Sequence, residues 1–522
     1  MKRISWISIT GFIFLLLSLK VYAGEFLISG GAWSHTYPVT AFGEDNYQVT
    51  WLDKRGGSYA NAFYGQAVDS EGNLIGGEIL QVDPWTYISL MPDITTDGSN
   101  YLFLWSRYRN IYGPGDVYGR RLDSSGAPVG SIFRISIGNT VSANFPCGAW
   151  DGENYLVVWQ EGSPTQESKI KGQFVSPSGG FVGDNFLIRP SDLPSGTSQI
   201  YPGLAFDGTN YLCVWDDDRA GTRDIYGQFI SPDGSFVGDD FVISSAVDDQ
   251  MLVAVEWSGS NYLAVWADYR DDSDDAGIYG QLISPDGTLI GENFAISVTS
   301  EDCGRSWPSI ASSGEDFLVA WEQDFLEYSK ESKITDERSI LLRAAGIEPS
   351  RPVLWHDVYA QEISLTGELI GDVIPVCTAL YHQWDTDVGS DGKDYLVVWD
   401  DSRNGNQYSV IYGYIVTSSA PPSIQGQDGI TPTLCTSVFP NPVHNSVAIE
   451  FSLPYASRIV VDMYTITGQR VQQIFVGEKE PGTHTEHWNL LDKTGNRVPP
   501  GVYLYRISTE QESTVGKIVV LE

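Results

Sequence analysis

The chain has 522 residues, too many for one ordinary hydrophobic core and enough for one large and one small domain. It carries 67 Asp and Glu against 31 Lys and Arg, a formal net charge of −36. A surface so acidic repels phosphate backbones and anionic lipid, which argues against nucleic acid and anionic membranes as partners.

The N-terminus opens with Lys2 and Arg3, continues as an apolar run from Ile4 to Leu19, and reaches Val21-Tyr22-Ala23 ahead of Gly24. A positive n-region, an apolar h-region and a small-residue cleavage pattern are the parts of a secretory signal peptide. Residues 1–23 are expected to be cleaved and not to anchor the chain, because Lys20 ends the apolar run early. No second span follows, so no transmembrane segment is expected in the mature chain, and no Cys stands after the cut to take a lipid.

From residue 24 the sequence repeats. A Trp closing a short apolar strand recurs at Trp51, Trp105, Trp159, Trp215, Trp266, Trp321 and Trp399, at spacings of 51 to 56 residues with one of 78. The clearest copy runs from Tyr201-Pro202-Gly203-Leu204 through Tyr211-Leu212-Cys213-Val214-Trp215 and Ile225-Tyr226-Gly227-Gln228 to Phe241-Val242-Ile243-Ser244. Four short strands per copy match a propeller blade, and radial repetition hides the sheet edges. The last repeat supplies three strands and then breaks into Thr417-Ser418-Ser419-Ala420-Pro421-Pro422. Phe26-Leu27-Ile28-Ser29 matches the missing fourth-strand motif. The expected fold for residues 24–416 is therefore a seven-bladed β-propeller closed by the N-terminal strand.

Recurrent residues in the repeat have structural explanations. Pro stands 13 positions before the Trp in five copies, as Pro38, Pro92, Pro146, Pro202 and Pro308, at strand starts where a missing N–H costs little. An Asp-x-Arg pair follows the Trp at Asp53/Arg55, Asp217/Arg219, Asp268/Arg270 and Asp401/Arg403. Its repetition reads as a brace between neighbouring blades and not as a site. Five cysteines, few and odd in number, do not make a disulfide scaffold. Only Cys303 and Cys377, ahead of neighbouring repeats, are placed to bridge.

A linker rich in Ser, Pro, Gly and Thr (417–436) separates the repeats from residues 437–522, which alternate strands and turns as a small β-sandwich does. Phe439-Pro440-Asn441-Pro442, Thr467-Gly468-Gln469-Arg470-Val471, Gly482 to Trp488, Pro500-Gly501-Val502-Tyr503-Leu504-Tyr505-Arg506 and the closing Gly516-Lys517-Ile518-Val519-Val520-Leu521-Glu522 follow in order. This segment resembles the type IX secretion (Por) C-terminal sorting domain and the related Ig-like domain of flagellar hook-capping proteins. The resemblance implies an Ig-like fold, a partner in the type IX machinery, and delivery to the cell surface or the medium. The closing Glu522 departs from the basic residue on which such domains often end.

Departures from the repeat are the candidate functional residues. Blade six carries about 25 extra residues between Trp321 and Tyr359, expected to lie over the loop face as a lid or docking surface, with a helix expected over 336–345. The repeat register puts the three propeller histidines, His35, His356 and His382, on blades one, six and seven near that face. Histidine is a common metal ligand and acid/base group. Glu256 replaces the small residue of the innermost strand in blade five, with Asp93 and Asp387 nearby on other blades. The run Asp271-Asp272-Ser273-Asp274-Asp275 could hold Ca²⁺ but lacks EF-hand spacing and reads as a solvated loop. No cofactor and no other metal is called for.

No Gly-x-Ser-x-Gly elbow, His-Glu-x-x-His, phosphate-binding Gly loop or sialidase box occurs, and no catalytic residue is assigned. The expectation is a non-enzymatic extracellular binding or adhesion protein with a glycan or protein ligand, its site including His35, His356, His382 and Glu256. The alternative is a secreted carbohydrate-active enzyme using acidic residues on the loop face.

Overall fold

The structure, a computed structural model, describes residues 25–327, 353–418 and 435–520 apart from short segments between strands. The expected signal peptide, Cys303 and most of the linker and of the blade-six insertion lie outside the described residues. No helix occurs among the described residues. The chain divides into two compact units, Met1–Ser423 and Ile424–Glu522.

Among its described residues the first unit holds seven four-stranded antiparallel sheets, which resemble propeller blades in that strands consecutive in sequence pair as neighbours. Sheet four is representative, with Gln199–Phe206, Tyr211–Asp217, Asp224–Ile230 and Phe236–Ser244. Its second and third strands are buried at every residue, which is why they read as near-continuous apolar runs, while its fourth begins fully exposed. Sheets one to three span residues 35–85, 89–134 and 143–187, and sheets five and six span 250–297 and 305–377. The first strand of each sheet packs against the first strand of the next, and that of sheet seven, Gln383–Ser390, packs against that of sheet one, His35–Phe42.

Sheet seven takes Gln383–Ser390, Asp394–Asp401 and Val410–Thr417 from the end of the repeat, and Phe26–Ser29 pairs antiparallel with Val410–Thr417 as its fourth strand. Phe26 lies opposite Gly413. A turn of the next sheet covers this strand: Gly72, at φ +85°, approaches so closely that a Cβ would stand 2.9 Å from the Phe26 ring. Only Gly combines that φ with that approach.

The core lies between sheets. All seven repeated Trp are fully buried, and the cluster around Trp266 joins side chains of sheets four and five as that around Trp399 joins sheets six and seven. Burying one Trp removes on the order of 150–250 Å² from water, about 4–6 kcal/mol gross. Cys377 is a buried free thiol with Arg403 Nη2 3.1 Å from its Sγ. Cys213 is buried in the core, as a small apolar residue would be.

The second unit has two sheets. One pairs Cys435–Phe439, Val447–Leu453 and Gly482–Trp488, and the other orders Arg470–Lys479, Ser457–Thr465, Gly501–Ser508 and Ser513–Val520. Ile449 and Phe451 from the first share one core with Ile459, Val461 and Ile507 from the second, closed by Trp488.

Candidate functional site

A bulge sits at the same place in all seven first strands. In sheet four the register passes from Ile200 opposite Asp216 to Gly203 opposite Val214, so Tyr201 and Pro202 together face Trp215. The repeated Trp thus stands opposite two residues in every sheet. The first of the two is left-handed each time: Tyr37, Met91, Phe145, Tyr201, Leu252, Trp307 and Asp385 have φ between +48° and +61°. The second is Pro in five sheets, where the bulge asks for no ladder N–H. A left-handed non-Gly residue costs on the order of 1–3 kcal/mol and persists only where its surroundings over-determine it. Here the opposing buried Trp and the neighbouring first strands do so.

These seven side chains line one cavity of about 250 Å³ where the first strands converge. Six are apolar or aromatic and one, Asp385, is acidic. Phe145 and Tyr201 meet edge to face at 4.6 Å, and Tyr201 meets Trp307 in the same way at 5.7 Å. Trp307 is 40% exposed.

Acids lie beneath the ring. Asp93 and Asp387 line the same cavity. Asp93 Oδ2 accepts from Gly148 N at 2.9 Å in the next sheet, while Asp387 Oδ2 accepts from Thr40 N at 2.8 Å and its Oδ1 from Ser309 Oγ at 2.7 Å. Asp387 therefore joins sheets six, seven and one. Burial pushes the Asp93 carboxyl up to about 7, with Asp387 adding repulsion. Burial likewise raises Asp387, takes Asp385 to about 6, and takes Glu256 to about 7. Glu256 lies on the first strand of sheet five, where its Oε1 accepts from Trp257 N at 3.0 Å.

The structure brings two of the three propeller histidines together. His356, in the third strand of sheet six, and His382, just before sheet seven, have their Nδ1 atoms 3.0 Å apart. His356 Nε2 lies 2.8 Å from Asp324 Oδ1, and Trp384 packs beside both rings, at 4.5 Å from His382 and 5.4 Å from His356. His35 is engaged elsewhere: its Nδ1 meets Ser29 Oγ at 2.9 Å and its Nε2 lies 3.3 Å from Asp53 Oδ2. It is 2% exposed, and burial outweighs the Asp53 charge to lower its pKa. His35 therefore ties Phe26–Ser29 to sheet one.

The Asp-x-Arg pairs are braces: their ion pairs tie strands within one sheet, and two of them also reach the neighbouring sheet, where Arg270 Nη2 donates to Ser244 Oγ of sheet four at 3.2 Å and Arg403 Nη2 to Cys377 Sγ of sheet six at 3.1 Å. Arg55 bridges Asp53 on the second strand to Glu78 on the fourth, and stacks 3.9 Å over Tyr64 of the third. Arg219 does the same with Asp217, Asp240 and Tyr226. In sheet seven the fourth-strand partner of Arg403 is Glu25. Burial pushes Asp217 up, but hydrogen bonds from Arg219 and Trp215 outweigh it and hold the carboxyl below the usual range. The same Asp accepts the indole N–H in sheets one, four, five and seven. Trp105, Trp159 and Trp321, whose sheets lack that Asp, have no partner for Nε1.

The residues sequence reasoning missed are the seven bulge residues. Their signal was available: a bulky side chain precedes the repeated Pro in Tyr37-Pro38, Met91-Pro92, Phe145-Pro146, Tyr201-Pro202 and Trp307-Pro308. Of the 271–275 run, residues 273–274 lie outside the described residues, and Asp271 accepts from the Tyr279 hydroxyl. Among the described residues no three His, Cys, Asp or Glu side chains form a metal-holding group.

Residues 437–521 match the secretion system C-terminal sorting domain. This domain marks a secreted or cell-surface protein and implies interaction with the type IX secretion machinery. No helix among the described residues is long and apolar enough to cross a membrane. No curated protein matches the chain. Similar solved structures include the β-propeller domain of the Trilobed protease from Pyrococcus furiosus, 12% identical with a TM-score of 0.42 over 76% of this chain and 100% of that one. A Penicillium chrysogenum α-L-arabinanase complexed with arabinobiose is 13% identical, with a TM-score of 0.40 over 63% of this chain and 94% of that one. A thermostable family-43 glycoside hydrolase is 14% identical, with a TM-score of 0.33 over 51% and 95%. At these scores the likeness bears on neither ligand nor activity.

Proposed function

We propose that the protein is an exported seven-bladed β-propeller, residues 24–416, closed by its N-terminal strand, that binds a neutral glycan at the mouth of its axial cavity. Residues 1–23 serve as signal peptide, and an Ig-like sorting domain at 437–522 delivers the chain. The observation that carries the reading is the ring of left-handed bulge residues. Every sheet spends backbone strain at the same position, and the side chains held there differ from sheet to sheet. Strain retained in this way is a pointer to function.

The chemistry of the ring favours a saccharide. Tyr37, Phe145, Tyr201 and Trp307 offer aromatic faces and edges for the apolar face of a sugar. Asp93, raised by burial to about 7, retains its proton in part near neutrality, so its carboxyl can donate as well as accept bonds with hydroxyls, while Asp385, raised to about 6, chiefly accepts. The net charge of −36 disfavours sulfated or uronic polymers. The residues lining the cavity include neither the His356–His382 pair nor Glu256, and His35 serves the seam. A glycan array on the mature protein, followed by calorimetry of the hits with W307A, tests the reading: hits confined to anionic glycans, or unchanged affinity in W307A, would sink it.

A second reading, glycoside hydrolysis, draws on one observation: Asp93 and Asp387 share the cavity, and Asp93 has the raised pKa of a general acid. Incubation of each bound glycan with the protein and analysis for new reducing ends separates the two readings.

A further inference from the structure

We propose that His356 and His382 form a binding site for a divalent transition-metal ion of the zinc or copper class, independent of the glycan reading. The two Nδ1 atoms stand 3.0 Å apart. Two imidazole nitrogens roughly 2.0–2.1 Å from one ion, at a tetrahedral or right angle, are themselves roughly 2.9–3.4 Å apart. The pair therefore already holds the spacing that an ion between the rings requires.

The facing nitrogens agree. Asp324 Oδ1 lies 2.8 Å from His356 Nε2, so a carboxylate faces the distal nitrogen of that ring and Nδ1 is the nitrogen turned to His382. An ion between the rings takes the Nδ1 lone pair of each, with the proton of each neutral ring on Nε2. In the ion-free pair one Nδ1–H donates to the other Nδ1; binding moves that proton within the ring and forms two nitrogen–metal bonds. A carboxylate on the distal nitrogen is the common support of a metal-ligating His, fixing tautomer and ring and raising basicity. Trp384, 4.5 Å from the His382 ring, holds that ring from the side, and the His356 side chain retains 17% exposure.

With two protein nitrogens and no third His, Cys, Asp or Glu in place among the described residues, the ion retains open positions for solvent or a ligand oxygen. Such a site binds more weakly than a closed structural one and is suited to chemistry or ligand bridging.

The full mature chain, stripped with chelator, is titrated with Zn²⁺ by calorimetry and with Cu²⁺ by electron paramagnetic resonance. One ion per chain is expected, with nitrogen hyperfine structure from Cu²⁺. Affinity should fall at least 10-fold in H356A and in H382A, and by about 10- to 100-fold in D324N, while H35A binds as the parent does. If H382A melts below the parent, H382Q is read in its place. No saturable binding, or binding that persists unchanged in the H356A/H382A double variant, overturns the proposal.

Discussion

Glu25 Oε2 accepts a hydrogen bond from Arg403 Nη1 at 2.5 Å, joining residues 378 positions apart in the chain. Arg403 also bonds Asp401, two residues before it at the end of the second strand, and stacks 4.0 Å over Tyr412. The first described residue thus enters a brace that sheets one, four and five build from contiguous sequence.

Deleting Phe26–Ser29 therefore leaves Val410–Thr417 as a bare edge and removes the Glu25 contact as well. Such a chain should melt at lower temperature and self-associate. Size-exclusion chromatography and thermal melting check this; a monomer with parental melting would refute closure by the N-terminal strand.

Arg219→Ala strands the buried Asp217 carboxylate without its cation. Unfolding free energy should fall by roughly 1–3 kcal/mol with glycan affinity unchanged. Because the folded Asp217 carboxyl is held below its ordinary value, its contribution is present above about pH 4 and is lost as pH falls through the folded pKa. Denaturant melts of parent and variant should converge in acid.

The buried acids act in the opposite sense. Asp93 and Glu256 are raised to about 7, so each contributes its full stability below about pH 4 and loses it as pH rises through about 7. The parent should be less stable at pH 8 than at pH 5. Glu256→Gln should flatten that slope by on the order of 3 kcal/mol. An unchanged slope in the Gln variant would show that Glu256 is solvated in the folded state.

Within the ring, Trp307→Ala removes the most exposed aromatic face and should weaken glycan binding at least 10-fold with little loss of stability. Asp385→Asn retains the donor and acceptor and should bind with less dependence on pH between 5 and 8. Isothermal titration at both pH values measures each effect.

A chain ending at Ser419 should fold and remain in the periplasm of a type IX-competent host. Its appearance at the surface in normal amount would remove the sorting role from residues 437–521.

Local chemistry made much of the architecture legible. Trp215 and its six counterparts declared the repeat, and Phe26 to Ser29 declared its place through likeness to Phe241 to Ser244, because a strand that packs on the same neighbours needs the same side chains. The sorting domain was legible for a similar reason: its turns and its Trp488 core are set by short ordered motifs. What the sequence alone could not determine is direction and convergence. Asp53 and Arg55 read as a brace between sheets; only the pairing of Asn61–Val68 with Leu74–Trp85 puts Glu78 within reach and makes their ion pairs run within sheet one. The repeat register puts His35, His356 and His382 on blades one, six and seven near one face, yet the fold seats His35 against Ser29 and Asp53 while His356 and His382 meet across a sheet boundary. The left-handed turn at Tyr201 and its counterparts is likewise tertiary: the residue before Pro disfavours helical backbone, and it is the Trp opposite and the crowding of seven first strands that hold it there.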